Sequence, residues 1–181
     1  MSLRLFLARL FLPRALQKRK LAELFRLTAR AFETAPPSVE GLSLGDMRRL
    51  YAEFSRDAAE RALGRPDALA AAERRLFDEA SGLGREIRRE LGVSTPREVM
   101  AAARILYRGL EIDLAGSPDG DIVVRRCSFS RRYSAEVCRL MSRLDAGVLA
   151  GLAGGGELAF TERLTEGAGR CRARFTFPGE S

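Results

Sequence analysis

The chain has 181 residues, with 31 basic and 24 acidic side chains, a formal net charge of +7, three cysteines, and neither histidine nor tryptophan. Without an imidazole, Ser-His-Asp and Cys-His catalysis are excluded within one chain, as are His-ligated zinc and haem sites. The length suits one domain that buries roughly 70% of its unfolded surface, and three cysteines are too few and odd in number for a disulfide scaffold.

The charge is uneven. Residues 1–30 hold eight basic side chains and the single acid Glu23, whereas residues 31–181 hold 23 of each sign. The excess therefore belongs to a basic N-terminal segment, read as residues 1–34, ahead of an α+β domain over 43–181.

Leu3, Phe6, Leu7, Leu10 and Phe11 recur at the spacing of one helical face. Arg4, Arg9 and Arg14 interrupt the apolar run, so neither an export signal nor a spanning helix is expected, and the cytoplasm is the expected compartment. The face is expected to pack on the body with its basic side solvated. The alternative is an interfacial helix at a membrane or partner surface, using residues 1–30. Pro13 ends or kinks the helix, and a second helix follows over about 14–33. Residues 34–38, Thr-Ala-Pro-Pro-Ser, read as a connector.

Ser43 with Asp46 resembles a helix cap, followed by a face of Met47, Leu50, Tyr51, Phe54 and Ala58. From Asp67, apolar positions run through Leu69, Leu76, Leu83 and Ile87 to Leu91. Gly82 and Gly84 weaken that helix by about 1 kcal/mol each relative to Ala, and Gly92 suits its C-cap. Thr95-Pro96-Arg97-Glu98 opens another helix over about 96–108.

After Gly109 the period falls from 3.6 to 2. Leu110, Ile112 and Leu114 read as strand, Ser117-Pro118-Asp119-Gly120 as a turn, and Asp121–Cys127 as the partner strand. A helix over about 131–152 ends at Gly154-Gly155-Gly156, and a second hairpin joins Glu157–Leu164 to Cys171–Phe177. Helices followed by ββαββ predict an α+β fold: one antiparallel sheet packed against helices.

Chemistry converges in this last third. Cys138 shares a helical face with Met141, Ser142, Asp145 and Leu149, and Cys171 alternates with Ala173, Phe175 and Phe177. All three cysteines are expected inward, where free thiols ordinarily act as small apolar groups. A carboxylate on an apolar stripe is costly unless paired, hydrogen-bonded or metal-bound. Asp145 is thus read either as salt-bridged to an inward Arg or on a face rotated outward, or as part of a polar pocket with Cys138 and Ser142, joined by Cys127 and Cys171. Three thiolates and a carboxylate suit zinc as cofactor, although the spacings match no compact zinc motif. A thiolate nucleophile activated by a neighbouring Arg is the equal rival.

The segment Cys127-x10-Cys138-x6-Asp145, then Phe160-Thr161-Glu162-Arg163-Leu164-x2-Gly167-x3-Cys171-x3-Phe175, resembles the L-2-amino-thiazoline-4-carboxylic acid hydrolase family and the related 4-vinyl reductase domain. The likeness covers about residues 110–177. Ser142 stands where a cysteine is expected, and Arg172-Ala173 where an acid and Phe are expected. The resemblance implies an α+β ligand-binding fold in which homodimers are common, with Cys127, Cys138, Asp145 and Cys171 lining the site. Hydrolysis of a cyclic C–N bond would then use Cys138, Asp145 and Glu136 as the reacting groups. Arg163 would hold a substrate carboxylate. The alternative is a non-catalytic module that binds a small molecule or metal. No helix-turn-helix, zinc finger or phosphate-binding glycine loop is readable, so no nucleic-acid partner is expected.

Overall fold

The computed structural model describes residues 2–10 and 13–179, with only the backbone of Arg9 and Leu10. Leu10's side chain and Phe11, assigned above to the N-terminal face, lie outside the described residues. Six helices precede or interrupt a four-stranded antiparallel sheet among those residues: α1 Leu3–Leu10, α2 Arg14–Ala31, α3 Leu44–Leu63, α4 Pro66–Leu91, α5 Pro96–Gly109, β1 Asp113–Gly116, β2 Asp121–Arg126, α6 Ala135–Ala153, β3 Glu157–Glu162 and β4 Cys171–Thr176. The fold is α+β, with helices first and the sheet in the order β1-β2-β4-β3.

The sheet is covered on one face. Leu114, Ile122, Val124, Cys171, Ala173 and Phe175 are buried, while Arg172, Arg174 and Thr176 alternate with them on the exposed side. The register sets Val124 against Cys171, and Ala173 against both Ile122 and Phe160. β1 is shorter than its hydrophobic alternation suggests. Leu110 caps α5, Glu111 adopts positive φ, and pairing starts only at Asp113. Helix α6 likewise starts later than its periodicity suggests. Ser134 accepts a hydrogen bond from the Val137 amide, and the preceding turn is held by Phe129 and Tyr133, whose rings stack at 5.3 Å. Thr95 and Glu98 form the reciprocal cap read from sequence: Thr95 Oγ1 accepts from the Glu98 amide, and Glu98 Oε2 accepts from Thr95 and Ser94 amides.

Helix α6 is the centre of the molecule and packs most extensively on α4. The seam is made by glycines. A Cβ on Gly84 would lie 2.4 Å from the Val148 carbonyl oxygen, one on Gly147 2.3 Å from that of Phe77, and one on Gly151 2.3 Å from that of Ser81. The helix-weakening cost of Gly84 is thus offset by backbone-to-backbone contact that any side chain would prevent.

Helix α2 is built into the common core through Leu21, Leu24, Phe25 and Leu27. Lys20 joins it to α4 by ion pairs with Glu86 at 2.9 Å and Glu90 at 3.3 Å. Helix α1 departs from the expected packing. It docks through Leu5, which is fully buried, with Ala8 against the core, and Ser2 Oγ donates to the Leu91 carbonyl at the end of α4. Leu3, Phe6 and Leu7, the residues read as its packing face, are 72%, 45% and 54% exposed. The short helix carries apolar side chains on more than one side, and Leu5, outside the periodic pattern, is the one the body receives.

Candidate functional site

Between α6, the sheet and α5 lies a partly open cavity of about 110 Å³. Its wall is predominantly apolar: Leu114, Ile122, Val124, Met141, Leu149 and Leu158 contribute from sheet and helix. Its polar groups are few. Cys127, Cys138, Asp145, Arg163 and Cys171 all line it, together with Ser142. The chain thus brings together five of the six site residues read from sequence.

The sixth, Glu136, lies elsewhere. It is exposed in the first turn of α6, where its own backbone N–H and the Ser134 hydroxyl hold its carboxyl below the usual range. It is two residues from Cys138, on a different side of the helix. Among the described residues lining the cavity, Asp145 is the one carboxyl group.

Asp145 is half-buried by surface area, but protein surrounds it closely. Burial pushes its carboxyl up to about 6, against the opposing effects of a hydrogen bond from Tyr107 and the Arg163 charge. Tyr107 Oη donates to Asp145 Oδ1 at 2.6 Å. Arg163 enters from the turn after β3. Its Nη1 donates to Ser142 Oγ at 2.7 Å and approaches Cys138 Sγ at 3.9 Å, while its guanidinium lies 4.1 Å from the centre of the Phe160 ring. Ser142 Oγ in turn donates to the Cys138 carbonyl at 2.7 Å, one turn back along α6. Arg163 therefore sits over an aromatic ring, donates to the α6 polar stripe, and has Glu166 Oε1 3.8 Å from its Nε.

The thiols do not form a metal site here. Among the described residues no three His, Cys, Asp or Glu side chains are placed to hold a metal ion, so the zinc set of Cys127, Cys138, Cys171 and Asp145 shares a wall without forming a ligand cluster. Cys138 and Asp145 stand two turns apart on α6, while Cys127 follows β2 and Cys171 opens β4. Burial also pushes the Cys127 thiol up to about 12, despite backbone donors at Phe129 and Ser130. It raises Cys171 too, although the Leu164 amide donates to its sulfur at 3.4 Å. A raised thiol is a poor nucleophile at neutral pH.

Sequence reading did not place Tyr107, Tyr133 or Thr165 in the site. All three tyrosines of the chain line the cavity. The hydroxyls of Tyr51, Tyr107 and Tyr133 meet Thr28, Asp145 and Ser55. The available signal was tyrosine at a core-facing helical position, since a buried hydroxyl needs a partner. Thr165 has no such signal. Its Oγ1 is buried on the cavity wall without a hydrogen-bond partner among the described residues, an arrangement that costs about 1–3 kcal/mol unless something entering the cavity satisfies it.

No family model, curated protein or solved structure matches the chain.

Proposed function

We propose that this protein binds a small molecule non-catalytically, seating an apolar group in the cavity and meeting it with Asp145, Arg163 and Thr165. The observation that carries the reading is the cavity's composition: an apolar wall with a few convergent polar groups, one of them the unpartnered Thr165 hydroxyl. The volume limits the buried group. An engineered apolar cavity of about 150 Å³ takes up benzene, so 110 Å³ suits a fragment of similar or smaller size. Thermal unfolding in the presence of benzene tests this. The midpoint should rise with benzene concentration by mass action and stay unmoved in Met141→Trp, which fills the space. An unmoved midpoint in the parent chain would reject the reading.

A hydrolytic reading is favoured by one observation, the raised Asp145 carboxyl, which is the type of group a general acid–base step at a C–N bond needs. Arg163 would anchor a carboxylate. Incubation with L-2-amino-thiazoline-4-carboxylate, with and without zinc, tests it. Ring opening that Asp145→Asn abolishes would support it, and an intact thiazoline would remove it.

For the N-terminus we infer contact with an anionic lipid surface. Leu3, Phe6 and Leu7 form an exposed apolar strip, and Arg14, Arg19 and Arg26, exposed on the next helix, have no carboxylate within ion-pair distance among the described residues. Apolar side chains beside uncompensated cations are what an interfacial helix requires. No described helix is long and apolar enough to cross a membrane. Vesicles containing phosphatidylserine should sediment the parent chain but not a Leu3→Ser/Phe6→Ser/Leu7→Ser variant. A second copy of the chain seated on the strip would instead appear as a dimer lost in that variant.

A further inference from the structure

Next to the cavity lies a second, much larger space, an open cleft of about 1340 Å³. Helix α3 contributes Arg48 and Arg49 to it, and α5 contributes Arg104 and Arg108. The end of β2 and the following turn add Arg125, Arg126, Arg131 and Arg132. Against these eight arginines the lining includes two acids among the described residues, Glu111 and Asp113. Some of the charge is committed: Arg48 pairs with Glu111 at 2.6 Å, Arg49 with Asp46, and Arg132 with Glu53 at 3.5 Å. Arg104, Arg125, Arg126 and Arg131 are exposed and have no carboxylate within 4.0 Å among the described residues. Residues 31–181 are neutral in sum, so this concentration is made by the fold.

The cleft and the cavity adjoin. Ile112, Leu114, Cys127, Ser130 and Leu164 line both. A molecule with an apolar end in the cavity would therefore emerge past Cys127 and Leu164 among guanidinium groups. Arginine pairs with phosphate oxygens through two parallel N–H donors, and a cleft with several uncommitted arginines suits a head group of more than one negative charge.

We propose that the ligand is amphipathic: a phosphorylated head in the arginine cleft joined to a short apolar group in the cavity. This rests on the small-molecule reading above and extends it by naming the ligand's class. The apolar lining shared with the cavity favours such a molecule over a nucleic acid, whose backbone would use the arginines and leave the cavity idle.

Calorimetric titration of the full chain with three probes tests the proposal: 3-methylbut-2-en-1-ol, inorganic diphosphate, and dimethylallyl diphosphate, which joins the two. Dimethylallyl diphosphate should bind at least about tenfold more tightly than either part, since burying several methylene-sized groups is worth more than the 1.4 kcal/mol of one decade. Arg125→Ala/Arg126→Ala should weaken it about tenfold or more and leave the alcohol unchanged. Met141→Trp should remove the advantage over diphosphate, and Leu158→Phe, a smaller intrusion on the same wall, serves if the first variant does not fold. If the alcohol binds but the diphosphate adds nothing, the proposal fails while the cavity reading stands. If neither the alcohol nor the joined probe binds, both fail. If a single-stranded oligonucleotide binds the cleft and displaces diphosphate, while the five-carbon tail adds no affinity, the cleft is a polyanion surface and the proposal is overturned.

Discussion

Along one side of α6, Gly147 and Gly151 admit the backbone of α4 so closely that a single Cβ would meet a carbonyl oxygen at 2.3 Å. Along the other, Cys138, Met141, Ser142, Asp145 and Leu149 border open space. One helix thus carries a backbone-to-backbone seam with α4 and the wall of the cavity. The seam fixes α6 against α4 at backbone precision, which holds the polar stripe opposite the sheet without filling the gap between them. Volume is spent differently on the two sides: removed from side chains at the seam, and left as a cavity at the stripe.

The largest predicted effect breaks the seam. Gly151→Val should destabilise by about 3 kcal/mol or more, because the added atoms meet main chain that cannot rotate away. Chemical denaturation measures it, and a loss under about 1 kcal/mol would show that α6 is not held there.

The second effect has the opposite sign and lies on the cavity side. Below pH about 4 Asp145 is neutral whether folded or unfolded. As pH rises towards 6 the unfolded chain releases that proton and the folded chain keeps it, so stability falls through this window and the full cost is present above pH about 6. A displacement of about two pKa units corresponds to about 3 kcal/mol. Asp145→Asn, which keeps an acceptor for Tyr107, should therefore stabilise the protein by up to that amount at pH 8, with the gain vanishing near pH 4. Unfolding midpoints across pH check this, and a gain independent of pH would contradict it.

Glu98 sharpens the contrast between a carboxylate that builds structure and one that faces a site. Amide and hydroxyl donation from Ser94, then Thr95, holds it down at about 2, so its contribution is present above pH about 4.5 and lost as pH falls towards 2. Glu98→Ala should cost about 1–2 kcal/mol at neutral pH, the usual worth of a helix cap. The smallest effect is on thiol chemistry. At pH 8 Cys127, raised to about 12, should react with iodoacetamide far more slowly in the folded chain than in the denatured one, as peptide mapping would show. Equal rates would mean the thiol is not buried as described.

Much of this was legible in the sequence because it is local. The Thr95–Glu98 cap, the Pro-Asp-Gly turn and the alternation from Cys171 to Phe177 each need only neighbouring residues, and each is present. The stripe of Cys138, Ser142 and Asp145 was readable from helical spacing; Arg163 reaches it only through the turn after β3, which spacing does not show. The rest was not local. Gly84 looks like a helix defect until α6 is laid against it. Leu5 falls outside the periodic face of α1, yet it is the residue the body buries. Tyr107, 38 residues from Asp145, cannot be paired with it by spacing, and the arginine cleft gathers charges that cancel when summed along the chain.

If the space beside α6 receives a ligand, intermolecular nuclear Overhauser effects between benzene and assigned methyl groups will show it. Contacts should appear to Met141, Leu149 and Leu158, saturate with concentration, and disappear in Met141→Trp. Contacts confined to the exposed Leu3 and Leu7 methyls, or unchanged in Met141→Trp, would contradict it.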